Sequence, residues 1–398
     1  MFGALGLAAC TPAPAAAPTT APTAAPAATK PAAAATTAPA VAASPAAAAA
    51  SPAAAAASPV AKPAASPVAS PSPVASDRTP PPFTGAAESI KYATTTGSAT
   101  SAGVYIAQER GYFKDQGINL ELVPFAGAAD MVSSIATGQV DIANMDIGSG
   151  PINAMARNVA IRFVADGARC ESGKCNSGLV VRKDLVDSGR FKTLADLKGL
   201  NYNALTPGST INLFSLRTLE KAGLKASDVN ILNLSFADIL PAAVSKAVDA
   251  SFNIEPFITV GSGQNVWVKI QDTSQILGPQ QATVIAYSPP FASGKQDLGK
   301  RFMVAYLRGV RDFVDAFTTG KDRAQIVSIM TTATTLKDPA LWNNVPQTFD
   351  TNGAIILDAL KANQQWYVEN GYVQTPINMD AAWDPQYVDY ATGLIGKR

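Results

Sequence analysis

Residues 103–146, GVYIAQERGYFKDQGINLELVPFAGAADMVSSIATGQVDIANMD, leave few choices of fold because helical and strand periods alternate along them. Val104, Ile106, Ala107 and Gln108 fit an amphipathic helix, and Gly111 supplies a left-handed residue to end it. Tyr112 and Phe113 start a short turn that Gly117 closes. Ile118, Leu120 and Leu122 alternate with Asn119 and Glu121, the period-2 signature of a strand. Met131 and Ile135 sit four apart on the next helix, and Gly138 stops it before Val140 and Ile142 begin another strand. With a strand over 90–93 upstream, the order is βαβαβ, which implies a parallel sheet with helices on its faces.

Composition divides the chain of 398 residues in two. Residues 11–82 are mostly Ala, Pro, Ser and Thr, and such a segment buries too little apolar surface to offset its ordering entropy. Pro and Ala favour extended conformations, so this linker reaches on the order of 200 Å when stretched. The remaining ~315 residues suffice for two lobes. A net charge of +1 leaves no electrostatic footprint for nucleic acid, and no apolar run has transmembrane length.

Ala107-x-x-x-Gly111-Tyr112-Phe113-x-x-x-Gly117, followed by Gly138-Gln139-Val140-Asp141-Ile142, resembles the substrate-binding proteins of ABC importers for sulfonates, nitrate and thiamine-precursor pyrimidines, the SsuA/THI5-like or NMT1-like group. The resemblance runs more weakly from about residue 89 to the early 290s and is not specific to one ligand. It implies a type II periplasmic-binding-protein-like fold: two α/β lobes joined by a two-strand hinge, with a ligand between them.

The chain has no histidine. Ser-His-Asp and Cys-His catalysis and the usual zinc sites all need an imidazole. The absence also separates the chain from eukaryotic pyrimidine synthases that share the resemblance and use a histidine- and cysteine-rich site. No cofactor and no metal are expected. Leu7-Ala8-Ala9-Cys10 resembles a bacterial lipobox, making Cys10 the expected lipidation site, although the preceding segment is short and has no Lys or Arg, unlike a complete signal peptide. Cys170 and Cys175 flank Glu171-Ser172-Gly173-Lys174 and would form a small disulfide clip outside the cytoplasm; a metal site there lacks further ligands.

In open α/β sheets ligands lie beyond the carboxyl ends of the strands, so the strand-end loops supply the candidate site. The first is Thr94-Thr95-Thr96-Gly97-Ser98, with Thr96 and Ser98 as candidates and Thr100 or Ser101 as helix cap. Phe125 and Met145-Asp146 follow the second and third strands. The family has a counterpart of Asp146 in such a loop; the residue has an equally good reading as a cap for a helix near Pro151. Asp166-Gly167-Ala168-Arg169 follows a strand over 161–165, and Arg169 could pair with an anion, though most arginines are solvated surface residues. A strand over 179–181 crosses to the second lobe.

There, Thr206-Pro207-Gly208-Ser209-Thr210 lies between a strand and a helix carrying Leu213, Leu216 and Leu219. Free N–H groups at such a start attract anions, and the family places ligand contacts at this Gly208-Ser209; plain capping by Ser209 or Thr210 is the bland alternative. Asn253 and Glu255 leave a later strand. Ala247-Val248-Asp249-Ala250 echoes Gln139-Val140-Asp141-Ile142, which suggests two lobes built alike. Strands over 266–270 and 283–287 follow, the latter returning to the first lobe. Phe302, Tyr306, Val310, Phe313 and Phe317, then Ile356, Leu360 and Trp366, read as core stripes packed behind that lobe.

The expected organisation is a partial lipoprotein signal (1–10), a disordered linker (11–85), lobe 1 (86–180), lobe 2 (181–285) and a C-terminal part of lobe 1 (286–398). The resemblance implies a monomeric, non-enzymatic, extracytoplasmic lipoprotein anchored through Cys10 to the bacterial membrane (periplasm or cell surface), passing a small ligand to an ABC permease and its ATPase. The alternatives are a tethered ligand sensor and a small-molecule enzyme on the same fold. Phe125, Met145 and Phe257 point to a flat, partly apolar ligand.

Overall fold

The helix–strand alternation beginning at Glu88 builds the first of two sheets. A computed structural model describes residues 77–127, 130–171, 174–345 and 349–398. Cys10 and the linker up to residue 76 lie outside the described residues. The strands, in chain order, are β1 (Glu88–Thr95), β2 (Ile118–Phe125), β3 (Ile142–Met145), β4 (Arg162–Glu171), β5 (Lys174–Cys175), β6 (Ser177–Arg182), β7 (Asn201–Asn203), β8 (Asn230–Leu232), β9 (Ala250–Ile254), β10 (Trp267–Asp272) and β11 (Gln280–Tyr287).

The first sheet runs β2-β1-β3-β11-β4-β5 and the second β10-β6-β9-β7-β8. β1 lies parallel to β2 and β3, and β7 lies parallel to β8 and β9, so each sheet holds the βαβαβ unit. The remaining ladders are antiparallel. The fold is a two-lobed α/β architecture of the type II periplasmic-binding kind.

The echo between 139–142 and 247–250 is a shared hydrogen-bond device. Asp141 receives the N–H of Lys91 on its carboxylate and donates its own N–H to the Lys91 carbonyl. Asp249 does the same with Asn201. Upstream, the N–H groups of Gln139 and Val140 share the Ser134 carbonyl, as those of Ala247 and Val248 share that of Ala242. In both lobes the motif ends a helix and locks the next strand beside the first.

β4 departs from expectation. It continues to Glu171 instead of stopping at 165, because β11 pairs along its length. Asp166–Arg169 are therefore strand residues, not a loop. Gly167 has a steric reason to be there: a Cβ would sit 2.5 Å from Asn144 Oδ1 and 2.8 Å from Thr283 Oγ1. Cys170 and Cys175 pair across the β4–β5 hairpin and are joined by a disulfide.

The 23-residue helix Gln296–Thr318 covers the first sheet. Phe302 stacks with Tyr92, Phe113 and Tyr306, all essentially unexposed. Gly103 and Gly309 let this helix meet Ala102–Glu109 at backbone distance; at Gly103 a Cβ would lie 2.6 Å from Val310. Residues 77–85, grouped with the linker by composition, make specific contacts. Asp77 pairs with Arg311 and Arg398, the Arg78 guanidinium donates to the Gly393 carbonyl, and the Phe83 ring lies under Arg301. The helix Leu357–Glu369 also departs from expectation: Trp366 Nε1 donates to Glu220 on the second-lobe helix Thr210–Lys221, 3.0 Å away. It straps the lobes together and does not pack only behind the first.

Candidate functional site

The carboxyl ends of both parallel units face one cleft, where strand–helix turns must put their loops. It encloses a cavity of about 130 Å³. The first lobe supplies Thr95, Ser98 and Thr100 after β1, Ala126 and Gly127 after β2, and Asp146 after β3. The second supplies Leu205, Thr206, Ser209 and Thr210 after β7, then Leu234, Ser235 and Phe236 after β8. Asn176, Ile254, Ala282 and Thr283 close it where the chain passes between lobes.

The lobes touch at one edge of this cavity. The Thr210 N–H donates to Asp146 Oδ2 at 2.8 Å, and the Ser149 N–H donates to the Gly208 carbonyl at 2.8 Å. A Cβ on Gly148 would lie 2.5 Å from that carbonyl oxygen, so the approach depends on glycine. Asp146 is 7% exposed. Burial pushes its carboxyl above the usual range, while the Thr210 N–H holds it down. Asp146 thus caps a helix of the other lobe and not the nearby Ser149–Ala156, whose N-cap is Gly148.

The other candidates divide. Ser98 lines the cavity while its Oγ accepts the Thr100 N–H, so Ser98, and not Thr100 or Ser101, is the cap in use. Ser209 lines it and caps Thr210–Lys221 by accepting the Asn212 N–H, so both readings hold there together. Gly208 is at the lobe contact, its N–H donating to Asn212 Oδ1. Thr96 is exposed, donates to the Phe125 carbonyl and borders a separate groove against the helix Arg323–Ala333. Met145 is wholly buried in the core, and Phe125 packs against that core, because each ends its strand one residue short of the loop. Asn253 turns back on the Ile254 N–H.

Glu255 faces away. Its Oε2 accepts the Thr259 N–H at the start of the helix Phe257–Gly263, and it borders a different cavity with Lys269 and Leu341. Arg169 is committed to Asp350 at 2.7 Å and to Glu171. The aromatic wall is Phe236, stacked on Phe257 with centroids 6.0 Å apart. Phe236 was legible as a residue just past a strand, by the argument that selected Phe125; Thr283 and Asn176 carried no such signal.

The NMT1/THI5-like family matches the chain over residues 98–316. A protein of Brucella abortus (strain 2308), named as a binding protein, is 25% identical over 148 residues, 37% of this chain and 41% of that protein. The chain thus spans about two fifths of that relative's length. Among solved structures, the periplasmic aliphatic sulphonate binding protein SsuA from Escherichia coli superposes with a TM-score of 0.61 at 20% identity, over 75% of this chain and 93% of that one. The desulfurization enzyme DSZB gives 0.53 at 16% identity, over 77% and 99%. At these identities the structural likenesses establish the fold. By the span of the family match, more than half of the chain and every strand but β1, the chain belongs to the NMT1/THI5-like family.

Proposed function

We propose that the chain is an extracytoplasmic solute-binding protein that captures a small organic ligand between its lobes and presents it to an ABC permease and ATPase. The observation that carries this reading is the cavity walled by matching strand-end loops from two similarly built sheets and edged by lobe-to-lobe hydrogen bonds. A ligand touching both walls favours the closed arrangement by its differential affinity for that state. Ser98, Asp146, Ser209 and Thr210 form the core of this site, each lining the cavity. Gly208 serves it through the lobe contact. The lobes divide near 181 and 285, the C-terminal part returns to the first lobe, and the protein acts as a monomer held to the membrane at Cys10.

Among the described residues the lining holds no Cys, His, Lys or Arg, which favours a carrier over an enzyme using a thiol, an amine or an imidazole. A thermal-shift screen over alkanesulfonates, nitrate, aminopyrimidines, arylamidines and aromatic carboxylates tests the reading, because a ligand of the native state adds RT ln(1 + [L]/Kd) of stability. The expected result is a saturable shift with the ligand recovered unchanged by mass spectrometry. Turnover would replace the carrier with an enzyme, and no shift from any class would remove the solute-binding reading.

A further inference from the structure

The cavity's charge is opposite to what an oxyanion needs. Among the described residues its lining includes two carboxylates, Asp146 inside and Asp130 at the exposed mouth, and no Lys or Arg. Asp130 makes no ion pair among the described residues. The positive end of the helix Thr210–Lys221 is the feature that could have received an anion. Two of the N–H groups in its first turn are already engaged: Thr210 donates to Asp146 and Asn212 to Ser209. An anion entering here would meet a carboxylate where it needs donors, and like charges at low dielectric repel strongly.

A second observation points to a ligand. The Thr210 hydroxyl lies beside the Asp146 carboxylate and the Tyr367 hydroxyl, whereas the buried Oγ1 of Thr283, also in the lining, has no hydrogen-bond partner. Buried hydroxyls are normally satisfied, so an unsatisfied one on a small cavity marks a place for a polar ligand group. Around it the walls are apolar, with Leu205, Ile211, Leu234 and the Phe236 ring. A volume of about 130 Å³ is close to the ~150 Å³ that accepts benzene in an apolar protein cavity.

We infer that the ligand is a single-ring aromatic or heteroaromatic base whose positively charged nitrogen group is received by Asp146, with Asp130 drawing it to the mouth. The ring lies against Phe236, where a cation beside an aromatic face is also favoured. The inference rests on the solute-binding reading and names the ligand class of that same site.

Calorimetric titration of the full chain with benzamidine, benzoate and benzenesulfonate tests it, since these share one ring and differ in charge. Benzamidine should bind, with the two anions at least about tenfold weaker. Asp146→Asn should weaken benzamidine at least about tenfold, because the charge-assisted bond is lost while the shape is kept. Asp130→Asn, at an exposed position, should weaken it less and provides the charge test if Asp146→Asn fails to fold. Binding of benzenesulfonate in preference to benzamidine would overturn the inference while leaving a solute-binding protein in place. Binding of neither would overturn it too, and the broader ligand screen then judges the carrier reading separately. Benzamidine binding unaffected by either variant would also overturn it.

Discussion

Glu255 is 2% exposed, and burial raises its carboxyl to about 7 against the pull of Lys269 and the Thr259 N–H. Asp166, 1% exposed, is likewise raised to about 7 by burial, with Arg169, the Asp350 N–H and Gln281 opposing and the Asp350 charge adding to the rise. An acid whose folded value lies above its unfolded one keeps its proton longer in the native state. The unfolded chain then ionises first as pH rises, so stability is greatest below about 4 and falls between about 4 and 7. Glu255→Gln should flatten this decline by on the order of 3 kcal/mol at most, read from denaturant midpoints at pH 4.5 and pH 7.5. An unchanged pH slope in the variant would rule out Glu255 as a source. Glu255 and Asp146 also show where sequence reasoning stops. Both follow strands, and the strand-end rule selected both. The direction of a side chain depends on the element that follows, however. The helix starting at Phe257 offers its unpaired Thr259 N–H and turns Glu255 back onto it, whereas Asp146 finds its N–H across the cleft on Thr210.

At the scale of elements, the two parallel units were legible because glycines and period changes mark their boundaries locally. Asp141 and Asp249 even mark the repeated lock between helix end and strand. The length of β4 was not legible, since it is set by pairing with β11, more than a hundred residues away. The same holds for the Trp366 helix, whose partner Glu220 belongs to the other lobe. The close approach of Gly148 to Gly208 is the element-level contact between the lobes at the cavity's edge. Gly148 has φ −78° and ψ −172°, so alanine is conformationally allowed and the obstacle is the Gly208 carbonyl. Gly148→Ala should therefore cost about 1–3 kcal/mol of closure through overpacking, with the folded lobes retained. Small-angle scattering should show a larger radius of gyration, and the affinity of any ligand found for the cleft should fall about tenfold or more. Unchanged scattering and affinity together would mean that this edge does not govern closure.

Across the whole molecule, the two crossings between sheets are coupled to each other and to the cavity. The first runs from β4 through the β5 hairpin to β6, and the second through the helix Thr273–Leu277 to β11. Ser177 Oγ and Thr273 Oγ1 lie 2.7 Å apart, tying the start of β6 to the start of that helix. Between Cys175 and Ser177, Asn176 accepts the Glu255 N–H on its carbonyl and lines the cavity. The Cys170–Cys175 bond holds β5 against the end of β4, so it fixes the position from which Asn176 and β6 depart. Closing so short a loop restricts the unfolded chain by about 2 kcal/mol in the chain-entropy account. Reduction, or Cys170→Ser with Cys175→Ser, should therefore lower stability by about that amount. It should also weaken ligand binding, because the freed hairpin no longer sets Asn176. Melting curves and titrations with and without a reductant separate the two effects. Lost stability with full affinity would confine the bond to stabilising the first lobe, while a parallel loss of both would make it part of the hinge that sets the cleft.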